Sequence, residues 1–161
     1  MIVGVDIDGV VARDPWSFYR RELFAQYGVL GKVARIICIF IDYILRPPFS
    51  ETKVLLEKYK KRGGKIIFIS GIPKLGKPII WLWLKVHRIH FDKLVLRGRE
   101  DVVRFKARAI IENQCTQFIE DQLKLALLIK YLLQEMSYTN NVEVEALENN
   151  CSTFYLLKLK I

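Results

Sequence analysis

Cysteine is scarce and badly placed for cross-linking: Cys38, Cys115 and Cys151 are odd in number, far apart and in no Cys-x-x-Cys pattern. That speaks against a disulfide framework and a zinc site and fits a reducing compartment. Histidine is scarcer still. His87 and His90 stand three apart with no third ligand near them in sequence, so they read as surface or helix-end residues. No apolar run is long and clean enough to cross a bilayer: the richest stretch, residues 29–45, is broken by Lys32, Arg35 and Asp42. The first apolar run is short, lacks a basic lead and holds two aspartates, unlike a secretory signal. A cytoplasmic protein without a transmembrane segment is expected. There is no repeat and no low-complexity linker.

Acidic residues are outnumbered, 17 against 26 Lys and Arg, for a formal charge of +9. Such a field attracts phosphorylated metabolites, nucleic acid or anionic lipid without choosing among them. With 161 residues, 52% hydrophobic and 27% charged, the chain fits one folded domain with room for an inserted subdomain.

Ile2-Val3-Gly4-Val5-Asp6-Ile7-Asp8-Gly9 is an apolar strand running into two carboxylates and a glycine. A strand buried on both faces belongs to a parallel sheet, and ligands of such sheets bind at the carboxyl ends of the strands. Two like charges one residue apart repel, so Asp6 and Asp8 need solvent, backbone amides or a cation. A plain Asp-Gly turn is the alternative. After Val11 the pattern becomes helical: Asp14-Pro15 starts a stripe of Trp16, Tyr19, Leu23 and Tyr27, and Val33, Ile36, Ile37, Phe40, Ile41 and Ile44 form a second, stopped by Pro47-Pro48. These predict a helical hairpin inserted after the first strand. The apolar helix within 29–45 can serve as a surface, membrane or homodimer contact, or pack on its neighbours.

Ser50 is the expected cap of the next helix, which Gly63-Gly64 ends. Lys65 to Gly71 predicts a second buried strand, which makes a right-handed βαβ unit. A helix follows over Lys74 to His87, started or bent at Pro78. Phe91 to Leu96 is a third strand, Glu100 to Asn113 a helix, and Thr116 to Ile119 a fourth strand ending in Glu120-Asp121. A further helix carries Leu123, Leu127 and Leu128. The alternating Val142 to Glu145 predicts a strand with Glu143 and Glu145 on its wet face, and Thr153 to Leu159 can add a last one. Four strands thus end in polar residues at one edge, more than folding alone requires.

Asp6-x-Asp8-Gly9-Val10, Ser70-Gly71, Lys106 and Glu120-Asp121 resemble, in order, the four motifs of the haloacid dehalogenase superfamily. The resemblance covers nearly the whole chain. It implies a three-layer, doubly wound parallel α/β sheet of Rossmann-like kind, with the core in 1–12 and 49–161 and a small helical cap in 13–48. It further implies a magnesium-dependent phosphatase in which Asp6 is the nucleophile and Asp8 the acid and then base. Magnesium would be held by Asp6, the Asp8 main-chain carbonyl and Asp121, with Glu120 assisting. Ser70, Gly71 and Lys106 would bind the phosphate. Ser70 as a helix cap and Lys93 or Lys77 in place of Lys106 stay open. The further acid that many relatives carry a turn beyond the fourth motif is missing, since Lys124, Leu125 and Ala126 offer none. Arg13, Tyr19 and Arg20 are candidate substrate contacts. The substrate is a phosphorylated small molecule or nucleotide, with a polynucleotide end within the same class. A catalytically weak nucleic-acid or membrane-binding module on the same fold is the rival from another class.

Overall fold

The computed structural model describes residues 1–12, 44–136, 142–150 and 153–159, with positions 28, 30, 37 and 41 between them. In chain order these residues form β1 (Ile2–Val5), α1 (Ser50–Lys61), β2 (Lys65–Pro73), α2 (Lys77–Val86), β3 (Lys93–Arg97), α3 (Val102–Glu112), β4 (Gln117–Glu120), α4 (Leu123–Glu135), β5 (Glu143–Asn150) and β6 (Thr153–Leu159). They build one sheet in the order β3-β2-β1-β4-β5-β6. The first five strands in that order are parallel. Only two residues separate Asn150 from Thr153, too few for a crossover, so β6 runs antiparallel to β5.

The layers follow from alternation along the strands. Val3, Val5, Phe68 and Ile119 point to one face and pack with Leu56 of α1 and Ile80, Trp83 and Leu84 of α2. Ile67, Ile69, Phe118 and Val144 point to the other, against Phe105 and Ile110 of α3 and Ile129 and Leu133 of α4. Each such large side chain withdrawn from water contributes about 1.5–3 kcal/mol. The chain builds outward from β1 to β2 and β3, then returns to place β4 on the other side of β1. That reversal leaves a crevice at the carboxyl ends of β1 and β4, where Asp6 N–H donates to the Ile119 carbonyl at 3.0 Å.

The segment after β1 closes on itself: the amides of Val11 and Ala12 donate to the Ile7 carbonyl and that of Gly9 to the Ala12 carbonyl. Thr52 of α1 clamps this turn through its hydroxyl on the Val10 carbonyl, 2.6 Å away. Phe49 N–H donates to the Val11 carbonyl, and Ala12 bridges to Pro48. The chain therefore leaves the core at Ala12 and returns to it beside the same residue. The expected hairpin between those points, with Arg13, Tyr19 and Arg20, lies outside the described residues. Leu30, Ile37, Ile41 and Leu45 are described, helical and exposed. Among the described residues, no helix is long and apolar enough to cross a membrane.

Several local expectations change. Phe49, not Ser50, is the N-cap of α1, and the Ser50 hydroxyl turns to Glu51 instead. A 3-10 turn over Lys74–Gly76 precedes α2. Asp101 caps α3 by accepting from the amides of Val103 and Arg104. Glu145 is fully buried rather than wet; it stands in register with Ile119, which is itself buried on the face that packs against α1 and α2.

Candidate active site

Of the residues singled out by motif, Asp6, Lys106, Glu120 and Asp121 come together at the crevice. Asp6 follows β1 directly and is buried. The Asp101 cap sets where α3 begins, and Lys106 falls on its inner face among Phe105, Ala107, Ala109 and Ile110. Its ammonium donates to Asp6 Oδ2 at 2.8 Å and to Glu120 Oε2 at 2.6 Å. Lys77 is exposed at the start of α2, and Lys93 is spent on Asn113, at 2.6 Å. Among the three lysines, Lys106 is the one that reaches the crevice.

Gly9 explains how Asp121 comes so near. Its φ of +75° lies in the left-handed region, and a Cβ there would stand 1.9 Å from Asp121 Oδ2. Only glycine lets the turn after β1 and the turn after β4 touch this closely. Carboxylate oxygens of Asp6, Glu120 and Asp121 consequently lie within 4.8 Å of one another.

So much buried acid exceeds what one ammonium can balance. Burial pushes Asp6 up to about 8, with the charges of Glu120 and Asp8 adding to the rise and Lys106 opposing it. Burial likewise pushes Glu120 up to about 7, with Asp121 adding and Lys106 opposing. For Lys106, burial alone would favour the neutral amine, but Asp6 and Glu120 outweigh it and carry the group up to about 12. Asp6 Oδ1 is buried and makes no hydrogen bond. An all-oxygen set of clustered acids with an unspent buried oxygen suits a hard divalent cation.

A pH dependence follows. Both acids have folded values above their ordinary ones, so without metal the stability they contribute is fully present below about pH 4 and is lost as pH rises through about 7 and 8. A divalent ion needs them ionised, so its stabilising effect grows over that same window. Melting curves with and without magnesium should show a larger upward shift at about pH 8 than at about pH 5.5. Equal shifts at the two pH values, or none, would count against the acids as ligands.

Ser70 is buried two residues beyond Phe68, the partner of Val5, and its Oγ accepts from Ile72 N–H at 3.3 Å. It is not a helix cap, because β2 continues to Pro73. The β2–β3 register slips between Ser70 and Pro73, an irregularity that re-aims the strand end. Gly71 is half-buried, and its carbonyl accepts from Arg97 Nε at 3.0 Å. His87 lies apart, its ring against Trp83 with centroids 4.8 Å apart.

Arg46 joins the site without any motif to mark it. Its guanidinium donates to Asp8 Oδ1 at 2.8 Å, with the arginine side chain 3% exposed and the aspartate 31%. A lone cation before two prolines gives no sequence signal for such a contact.

No protein-family model matches the chain, and no curated protein matches it. Solved structures match in fold. A chain in a structure of the Pnkp1/Rnl/Hen1 RNA repair complex is 17% identical with a TM-score of 0.57, covering 82% of this chain and 39% of that one. This chain thus spans about two fifths of that relative's length. A D,D-heptose 1.7-bisphosphate phosphatase from B. bronchiseptica, complexed with magnesium and phosphate, is 9% identical with a TM-score of 0.50, over 81% of this chain and 75% of its own. A HAD family hydrolase from Salmonella enterica serovar Typhi is 13% identical with a TM-score of 0.51, over 80% of this chain and 58% of its own. At such identities the likeness is one of fold.

Proposed function

This chain has a haloacid dehalogenase-like fold, and from that premise we propose that it is a magnesium-dependent phosphomonoester hydrolase working through an aspartyl-phosphate. The observation that carries the reading is the buried Lys106 ammonium joining Asp6 to Glu120 at the switch point of the sheet, with Asp121 beside them.

In the first step an Asp6 carboxylate oxygen bonds to phosphorus, the ester P–O bond breaks, and Asp8 gives its proton to the departing oxygen, releasing an alcohol. In the second, the ionised Asp8 takes a proton from water as the water oxygen bonds to phosphorus. The bond to Asp6 then breaks, inorganic phosphate leaves, and both aspartates return to their starting forms. Ser70 and the Gly71 amide supply hydrogen bonds to the phosphoryl oxygens, and Lys106 supplies positive charge beside them. Asp6, the Asp8 carbonyl, Glu120 and Asp121 would hold magnesium, which when bound supplies the charge that keeps Asp6 ionised before an anionic phosphate.

Residues 13–48 form the cap in this reading and 1–12 with 49–161 the core, supported by the meeting of Ala12 with Pro48 and Phe49. A nucleotide or polynucleotide-end substrate is the second reading, favoured by the +9 charge and the likeness to a chain of an RNA repair complex. A cytoplasmic setting accords with the odd, scattered cysteines. The test is phosphate release from alkyl phosphates, mononucleotides and oligonucleotides phosphorylated at either end, with magnesium and with a chelator. Release that needs magnesium is expected. Binding of nucleic acid or liposomes with no release from any ester would overturn the enzyme reading in favour of a binding module.

A further inference from the structure

Arg46 stands at the point where the chain rejoins the core, just before Pro48 meets Ala12. Both of its ends are fixed. The main-chain carbonyl accepts from the Trp83 indole Nε1 at 2.8 Å, in a buried bond, and the guanidinium holds Asp8 Oδ1 at 2.8 Å. An exposed ion pair would mean little for stability or function. Burying a guanidinium to this degree costs several kcal/mol before pairing, and an apolar side chain of similar volume would staple the neck at least as well. The arginine is therefore better explained by what it does to Asp8 than by what it does for the fold.

Resting on the hydrolase reading above, we propose that Arg46 is the positioning residue for Asp8: the buried guanidinium, carried on a backbone anchored by Trp83, sets the direction in which the Asp8 carboxyl faces the leaving oxygen. A carboxyl group is planar, so a charge-assisted bond to one oxygen limits where the other can point. Proton delivery depends steeply on that placement. The same anchor ties the acid to the segment that returns to the core, two residues before Pro48 bridges to Ala12.

A leaving-group comparison separates this role from a structural one. The quantity is kcat/KM, which reports steps only through release of the alcohol, on p-nitrophenyl phosphate and on an alkyl phosphomonoester. The nitrophenolate leaves unaided, whereas an alkoxide needs the proton. Arg46→Gln should lose about 100-fold on the alkyl ester but less than about threefold on the nitrophenyl ester, the pattern that Asp8→Asn also gives. Arg46→Lys, which keeps a cation at the buried site, should fall between Gln and wild type on the alkyl ester and match wild type in melting temperature. Equal losses on the two esters, or no loss on either, would overturn the assignment while leaving the hydrolase reading in place. A wild-type protein releasing no phosphate from either ester in an Asp6-dependent way would overturn the hydrolase reading, and this one with it.

Discussion

Asp6→Asn is expected to lower phosphate release by at least about 1,000-fold while leaving a folded protein. The amide is nearly the same size as the carboxyl but cannot form the acyl-phosphate, so the two-step route closes. Its cost to folding is small for a specific reason: without metal, burial already holds Asp6 largely protonated near neutral pH, and asparagine mimics that neutral form. Glu120 stays to pair Lys106. The variant should therefore melt at or above the wild-type temperature without magnesium and lose most of the stabilisation magnesium gives. Paired melts and phosphate assays check this. Activity within tenfold of wild type would exclude Asp6 as the nucleophile.

Lys106→Met is expected to be the most damaging change to the fold. Methionine fits the aliphatic volume but leaves Asp6 and Glu120 buried with no cation, and at about pH 8 and above, where both acids are ionised in the parent protein, breaking a buried pair in this way costs about 3–5 kcal/mol. In a domain of this size that is a fall in melting temperature of roughly 6–20 °C. The deficit should widen as pH rises through about 7 and 8, where the two acids must ionise with nothing to face, and narrow in acid, where they are neutral. Urea unfolding at two pH values measures both effects. Lys93→Met, which removes only the exposed bond to Asn113, should stay within about 0.5 kcal/mol.

What the sequence made legible was whatever local pattern controls. β1, β2 and β4 are short runs of Val, Ile and Phe, so burial on both faces was readable, and the acids after β1 and β4 fall where the sheet puts strand ends, whereas β2 runs three residues past Ser70. Lys106 is singled out only through the family resemblance, with Lys77 and Lys93 left open, and the structure puts its ammonium on Asp6 and Glu120. Contacts made across the chain were not readable from pattern. Arg46 lies 38 residues from Asp8, and only the folded neck brings them together. Glu145 alternates with Val144 as a half-wet strand would, yet both residues are buried, a coverage of both faces that the alternation does not show. Ser50 has the chemistry of a helix cap, but the bonds that fix Phe49 to Val11 start the helix one residue earlier. Asp121 is named through the family resemblance as a metal ligand, but its close approach depends on a missing Cβ at Gly9, which no local pattern shows.

The point at which Ala12 receives the returning chain has a thermodynamic side. Because residues 12 and 48 are already bridged, the stretch between them enters the core's free energy as a closed loop whose entropy grows only with the logarithm of its length, about 0.6 kcal/mol for each doubling. Lengthening, shortening or replacing that stretch thus taxes the sheet very little. In the reading proposed above, where residues 13–48 are the cap, the frame that fixes the acids and the lysine can stay constant while the cap is rewritten, provided Arg46 still reaches Asp8.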